Sequence, residues 1–143
     1  MTQMIEVKTA ELVGPALDWA VGIVVHGKVY VFPDGGLCPP EGTISLKEDD
    51  GTLWTNIGGF HHGDQWRPST DWTQGGLLID QHQVWLSPPV DDVEPVGWDA
   101  EIYGEDGATS AIQDGCPTAL IAVCRAVVQA KLGDVVSVPA ELA

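Results

Sequence analysis

Nine of the eleven residues from 66 to 76 (WRPSTDWTQGG) carry groups that could hold a ligand: Trp66, Arg67, Ser69, Thr70, Asp71, Trp72, Gln74, Gly75 and Gly76. An indole offers a flat apolar face and one N–H donor. The Arg67 guanidinium can grip a phosphate or carboxylate with two parallel hydrogen bonds. Gly75-Gly76 lets backbone N–H groups approach a bound molecule closely. Stacking, one cationic fork and oriented N–H groups suit a compact anionic ring compound such as a nucleotide. The same residues have a structural reading. Trp72 is expected to plug the core beneath a long loop, while for Trp66 plugging and stacking balance. Ser69 and Thr70 follow Pro68 and precede Asp71-Trp72, which fits a hydroxyl turn or a helix N-cap.

Other chemistry is poorly provided for. His61-His62 with Asp64 invites a metal, but adjacent imidazoles project differently and His26 and His82 are far away in sequence. A solvated loop is the expected state of that pair, with no metal and no cofactor. No serine stands in a Gly-x-Ser-x-Gly elbow, and neither Gly58-Gly59 nor Gly75-Gly76 is followed by the Gly-Lys-Ser/Thr of a phosphate loop. The many carboxylates could form an acid–base pair, but nothing selects two of them. The three cysteines, Cys38, Cys116 and Cys124, match no zinc spacing and read as buried free thiols. A binding protein without catalytic residues is therefore expected, rather than an enzyme.

The charge narrows the partner. Six Lys and Arg face 21 Asp and Glu, a formal charge of −15. Between Arg67 and Arg125 there is no Lys or Arg, yet the window holds ten acids: Asp71, Asp80, Asp91, Asp92, Glu94, Asp99, Glu101, Glu105, Asp106 and Asp114. Such a field repels nucleic acid polymers and anionic membranes. Solubility alone accounts for it, and the acids are scattered among glycines and prolines rather than set in a regular ladder. The functional alternative is an acidic, DNA-mimic-like surface that competes for a basic host nucleic-acid-binding factor.

The elements that must position these groups read as one α+β domain over residues 1–143. Residues 4–8 alternate as a first strand. Gly14-Pro15 opens a helix whose Ala16, Leu17, Ala20, Val21 and Val24 form a buried stripe, with Asp18 facing solvent and Trp19 at the stripe's edge. Residues 28–32 form a strand, and residues 43–47 and 52–57 flank an Asp-Gly hairpin turn. Residues 58–76 read as one long aromatic-rich loop, with a short helical turn after it at 77–79. Strands are expected at 84–87 and 98–103, an acidic loop at 88–95 and another loop at 104–115. Pro117 starts the second main helix and Gly133 ends it. A short strand closes the chain at 135–138. The sum is two main helices on a small, mostly antiparallel sheet with long loops. Gly14-Pro15, Gly75-Gly76 and residues 115–117 are each expected just before helical turns, where a helix end can attract an anion.

Three patches together resemble the phage NinX-like family of accessory proteins: residues 9–21 (TAELVGPALDWAV), 68–79 (PSTDWTQGGLLI) and 117–139 (PTALIAVCRAVVQAKLGDVVSVP). The second is the most specific. Residues 28–57 lie outside the likeness, and Leu77 stands where a proline is expected. The resemblance implies a phage or prophage source and no particular activity. The N-terminus lacks a basic start and an apolar core, and no apolar run approaches a bilayer span, so the host cell cytoplasm is the expected location. The expected role is a sponge that sequesters a nucleotide-derived host defence signal. A homo-oligomer is compatible with this, since such pockets often lie between subunits.

Overall fold

The computed structural model describes residues 3–32, 39–47, 50–58, 61–92, 94–104 and 107–143, with the backbone alone at residue 32. Among them the chain runs β1 (Met4–Lys8), α1 (Gly14–His26), β2 (Val29–Phe32), β3 (Ile44–Lys47), β4 (Thr52–Gly58), β5 (His61–Gln65), α2 (Trp72–Gln81), β6 (Trp85–Ser87), β7 (Trp98–Tyr103), β8 (Thr109–Cys116), α3 (Ala119–Leu132) and β9 (Val135–Pro139). This is an α+β fold. Its described strands divide among three sheets: β1 with β9, β2-β3-β4-β5 in that order, and β6-β7-β8. The pair β2-β3 is parallel, and the other described pairs are antiparallel.

The core gathers around α3. Residues Ala122, Val123, Cys124, Ala126, Val127 and Val128 are sealed from solvent, because α1, α2, β7 and β8 all pack against α3. A helix buried all round must also be satisfied where it carries charge. Arg125 is buried, and its Nε donates to the Leu12 carbonyl at 2.8 Å, tying α3 to the segment before α1. Thr118 rather than Pro117 sets the start of α3, since its hydroxyl accepts from the Ile121 amide at 3.1 Å. Gly133 ends the helix as expected. In α1 the stripe of Ala16, Leu17, Ala20 and Val21 is buried as expected and Val24 is half-buried, with Pro15 in the first turn and a left-handed Gly27 at the end. Asp18 does not face solvent. It is 5% exposed, because residues 66–69 cross over that side of α1.

Three stretches differ from the sequence reading. Residues 58–76 are not one loop, since β5 and the first half of α2 lie within them. The β5 sequence HHGDQ has no apolar alternation. Backbone pairing with β4 makes it a strand, with His62 opposite Asn56 and its Nδ1 3.2 Å from Asn56 Oδ1. His61-His62 therefore sits in a strand, not a solvated loop. Residues 104–115 contain most of β8. Here Gln113 points inward and Ile112 outward, which inverts the hydropathy pattern. The inward amide is satisfied by Gln129 Oε1 of α3 at 2.9 Å. Finally, the short turn at 77–79 is part of the ten-residue helix α2. The hairpin stands as β3-β4, with Lys47 opposite Thr52. Cys116 and Cys124 are buried free thiols, and Cys38 lies outside the described residues. No helix among the described residues is long and apolar enough to cross a membrane.

Candidate functional site

Residues 66–71, between β5 and α2, are held from three directions. The Trp66 indole is 9% exposed, and its Nε1 donates to the Asp18 carbonyl at 2.8 Å. Gly22 makes room for it: a Cβ there would stand 3.3 Å from Trp66 Nε1. The Trp66 ring also meets His26 edge-on, with centroids 5.5 Å apart. Two residues on, the Ser69 amide donates to Asp18 Oδ1 at 2.8 Å. The Gln74 side chain closes the loop from the other end, accepting from the Arg67 amide at 2.7 Å and donating to the Gln65 carbonyl at 2.8 Å. Asp71 caps α2, its Oδ1 accepting from the Thr73 amide at 2.8 Å.

This network places each expected site residue. Trp66, Ser69 and Gly75 are buried, while Arg67, Thr70 and Trp72 are exposed. Trp72 is not a core plug. It is 58% exposed in the first turn of α2, and Trp66 fills the core in its stead. Gly75-Gly76 does not precede a helical turn. Both residues lie inside α2, where the Gly75 amide already donates to the Asp71 carbonyl at 2.8 Å. The need for glycine at 75 is steric, since a Cβ would stand 2.0 Å from the Pro68 carbonyl oxygen. Arg67 makes a loose ion pair with Asp71 at 4.0 Å and otherwise extends into solvent. Residues 115–117, the last two residues of β8 and the one after it, stand just before the Thr118 cap of α3, as expected.

Asp18 is the electrostatic centre beneath the loop. Burial pushes its carboxyl up from the usual 3.8 to about 6, opposed by the hydroxyl and amide of Ser69 and by the Arg67 charge. Ser69, 2% exposed, keeps its hydroxyl close enough to Asp18 to oppose that rise, but among the described residues no group stands in full hydrogen-bonding geometry to it. That leaves a buried hydroxyl with unused bonding capacity.

Trp72, Ser69 and Thr70 form one wall of a cleft of about 260 Å³, and Thr118, Ala119, Leu120 and Ile121 form the other. The first turns of α2 and α3 thus open onto one space. First-turn amides have no partner within their own helix. Asp71 takes that of Thr73 and Thr118 that of Ile121, and those of Trp72, Ala119 and Leu120 have no partner among the described residues. Larger grooves exist, but their chemistry is wrong for an anion. One of about 440 Å³ contains Asp80, and in one of about 390 Å³ Asp114 and Asp134 outweigh the single cation Lys8. A third, of about 320 Å³, holds His82 and Lys131 but opens at the C-terminal ends of α2 and α3, where helix carbonyls repel anions. Among the described residues no cluster of His, Cys, Asp and Glu has the geometry to hold a metal ion.

A family model described as Bacteriophage P22, NinX matches residues 8–131. The chain belongs to this NinX family. The match spans both walls of the cleft, from the end of β1 to the last turn of α3. No curated protein matches the chain. Within this NinX-family chain, sequence reasoning missed Thr118, Ala119, Leu120 and Ile121 as a cleft wall, and Asp18 as the loop's anchor. Pro117 marked a helix start, but nothing local said that this start would face Trp72.

Proposed function

We propose that this protein is a phage accessory binding protein. It holds a compact anionic ring compound of the nucleotide class between the first turns of α2 and α3, and so sequesters a nucleotide-derived host defence signal in the host cytoplasm. The observation that supports this reading is the exposed Trp72 indole at the edge of a cleft onto which two helix N-termini open. A ring stacks on the indole, its anionic group lies toward the free amides and the positive helix ends, and the Ser69 hydroxyl offers a further buried contact. Size sets the scale of the ligand. Small-molecule pockets run to about 300–1,000 Å³, so about 260 Å³ suits one ring with one anionic group. A longer ligand reaches past the cleft, where a second subunit could cover it. The acidic surface lets a small anion in at physiological ionic strength while repelling polymers.

The test is thermal shift and native mass spectrometry against cyclic mononucleotides, cyclic dinucleotides, cyclic oligonucleotides and ADP-ribose derivatives. A ligand at about 100 times its Kd adds about 2.7 kcal/mol of stability, roughly 5–10 °C for a domain of this size. Trp72→Ala and Thr70→Asp should each remove that shift without lowering the melting point of the free protein. An unmoved melting curve and no retained mass across the panel would falsify the proposal.

A further inference from the structure

The sheet β6-β7-β8 has two unlike faces. Ala100, Ile102, Ala111 and Gln113 turn inward toward α3. On the other face Glu101 stands between Trp85 of β6 and Ile112 of β8, and Asp99 lies opposite Ser87. Trp85 is 68% exposed, and Tyr103 and Ile112 are exposed beside it. The Trp85 and Tyr103 rings meet edge to face, centroids 6.0 Å apart, and the Tyr103 hydroxyl donates to Glu101. Asp114 completes an acidic group with Asp99 and Glu101.

We infer that this face docks an arginine-rich segment of a partner protein. The whole sheet lies in the stretch between Arg67 and Arg125 that contains no Lys or Arg. Among the described residues none of Asp99, Glu101 and Asp114 has a cation within ion-pair distance; Lys131, which shares a groove with Tyr103, pairs with none of them. Burial, then the charges of Asp99 and Glu101, push the Asp114 carboxyl up. An incoming guanidinium relieves that repulsion and can stack on Trp85 or Tyr103 while gripping Glu101, a combination that an ammonium provides less well.

Charge decides against other occupants. Nucleic acid and anionic membrane meet the same repulsive field. A second copy of this chain carries −15 with six basic residues, one of them the buried Arg125, and cannot supply the complement. Pairing along the β6 edge is opposed by its three-residue length and by Pro88-Pro89 immediately after it. The face, rather than the edge, is left for the partner. This inference is independent of the cleft between α2 and α3.

The experiment uses a labelled peptide of alternating arginine and glycine, with lysine–glycine and glutamate–glycine peptides of equal length, read by fluorescence anisotropy. One variant combines Asp99→Asn, Glu101→Gln and Asp114→Asn; the side-chain amides introduced at positions 99 and 101 keep the oxygen acceptors that serve the Gly115 amide and the Tyr103 hydroxyl. Its control combines Glu6→Gln, Glu11→Gln and Glu141→Gln, which removes the same charge elsewhere. The arginine peptide should bind, weakening about tenfold in the local variant and by less than about twofold in the distant one. Trp85→Ala should weaken the arginine peptide more than the lysine peptide. Equal loss in both charge variants, or arginine binding no stronger than glutamate binding, overturns the inference, as does a dimer in solution that Trp85→Ala dissolves.

Discussion

Asp18 shows what a residue's own helix does not reveal. Its place off the stripe of Ala16, Leu17, Ala20 and Val21 predicted solvent exposure, yet residues 66–69 cover it and take both its carbonyl and its carboxylate as acceptors. The folded state holds the Asp18 proton more tightly than the unfolded chain, with a carboxyl raised from 3.8 to about 6. Below 3.8 this group costs the fold nothing. Stability falls as the pH rises from 3.8 to 6, and above 6 the full penalty of about 3 kcal/mol stands. Between about pH 5 and about pH 7.5 the loss amounts to roughly 1–1.5 kcal/mol. Asp18→Asn keeps an oxygen for the Ser69 amide and removes the titration. Urea unfolding at the two pH values should therefore show a smaller drop for the variant by that amount. An identical drop in both proteins would mean that Asp18 ionises without penalty in the fold.

At the scale of elements, α2 carries the lesson. Gly75-Gly76 reads locally as a break, because each glycine costs a helix about 1 kcal/mol relative to alanine. The helix runs through them because Asp71 caps it and α3 packs against it. Position 75 lies where α2 meets both the preceding loop and α3: a Cβ would stand 2.0 Å from the Pro68 oxygen and 2.9 Å from Leu120 Cδ2. At Gly76 the nearest atom is Trp72 Cε3 at 3.4 Å, an ordinary contact. Gly75→Ala should destabilise by about 2 kcal/mol or more despite the better propensity. Gly76→Ala should be neutral or stabilising by up to about 1 kcal/mol. Chemical denaturation separates the two, and equal effects would refute the steric account. The strands show a similar division. β1, β7, β9 and the β3-β4 hairpin were legible from alternation and turn chemistry. β5 has no apolar residue, and β8 turns Gln113 inward and Ile112 outward, so neither announced itself.

The whole molecule is a strongly charged object with little internal neutralisation. Against the formal −15, one ion pair, Arg67 with Asp71, is formed among the described residues. Net self-repulsion destabilises the compact state, and added salt screens it, with a Debye length of about 10 Å at 0.1 M. Raising sodium chloride from about 10 mM to about 0.5 M should therefore raise the melting temperature by a few degrees, roughly 1–2 kcal/mol at this size. A flat or falling response in calorimetry would show that the acids are compensated in the fold. The same field opposes nucleic acid polymers and anionic membranes, and it is compatible with both the small anion proposed for the cleft and the arginine-rich segment inferred for the open sheet.

Composition and local pattern alone determined the acidic field, the start of α1, α3 with its stop at Gly133, the α+β class and the family likeness, because each is encoded within a few residues of itself. Tertiary structure decided which tryptophan is buried, where Asp18 points, that β5 and β8 exist, and that the first turns of α2 and α3 share a space. Those outcomes rest on contacts such as Trp66 with Asp18 and Ser69 with Asp18, 48 and 51 residues apart in the chain. Packing across such distances depends on what covers each surface, and local periodicity carries no record of that.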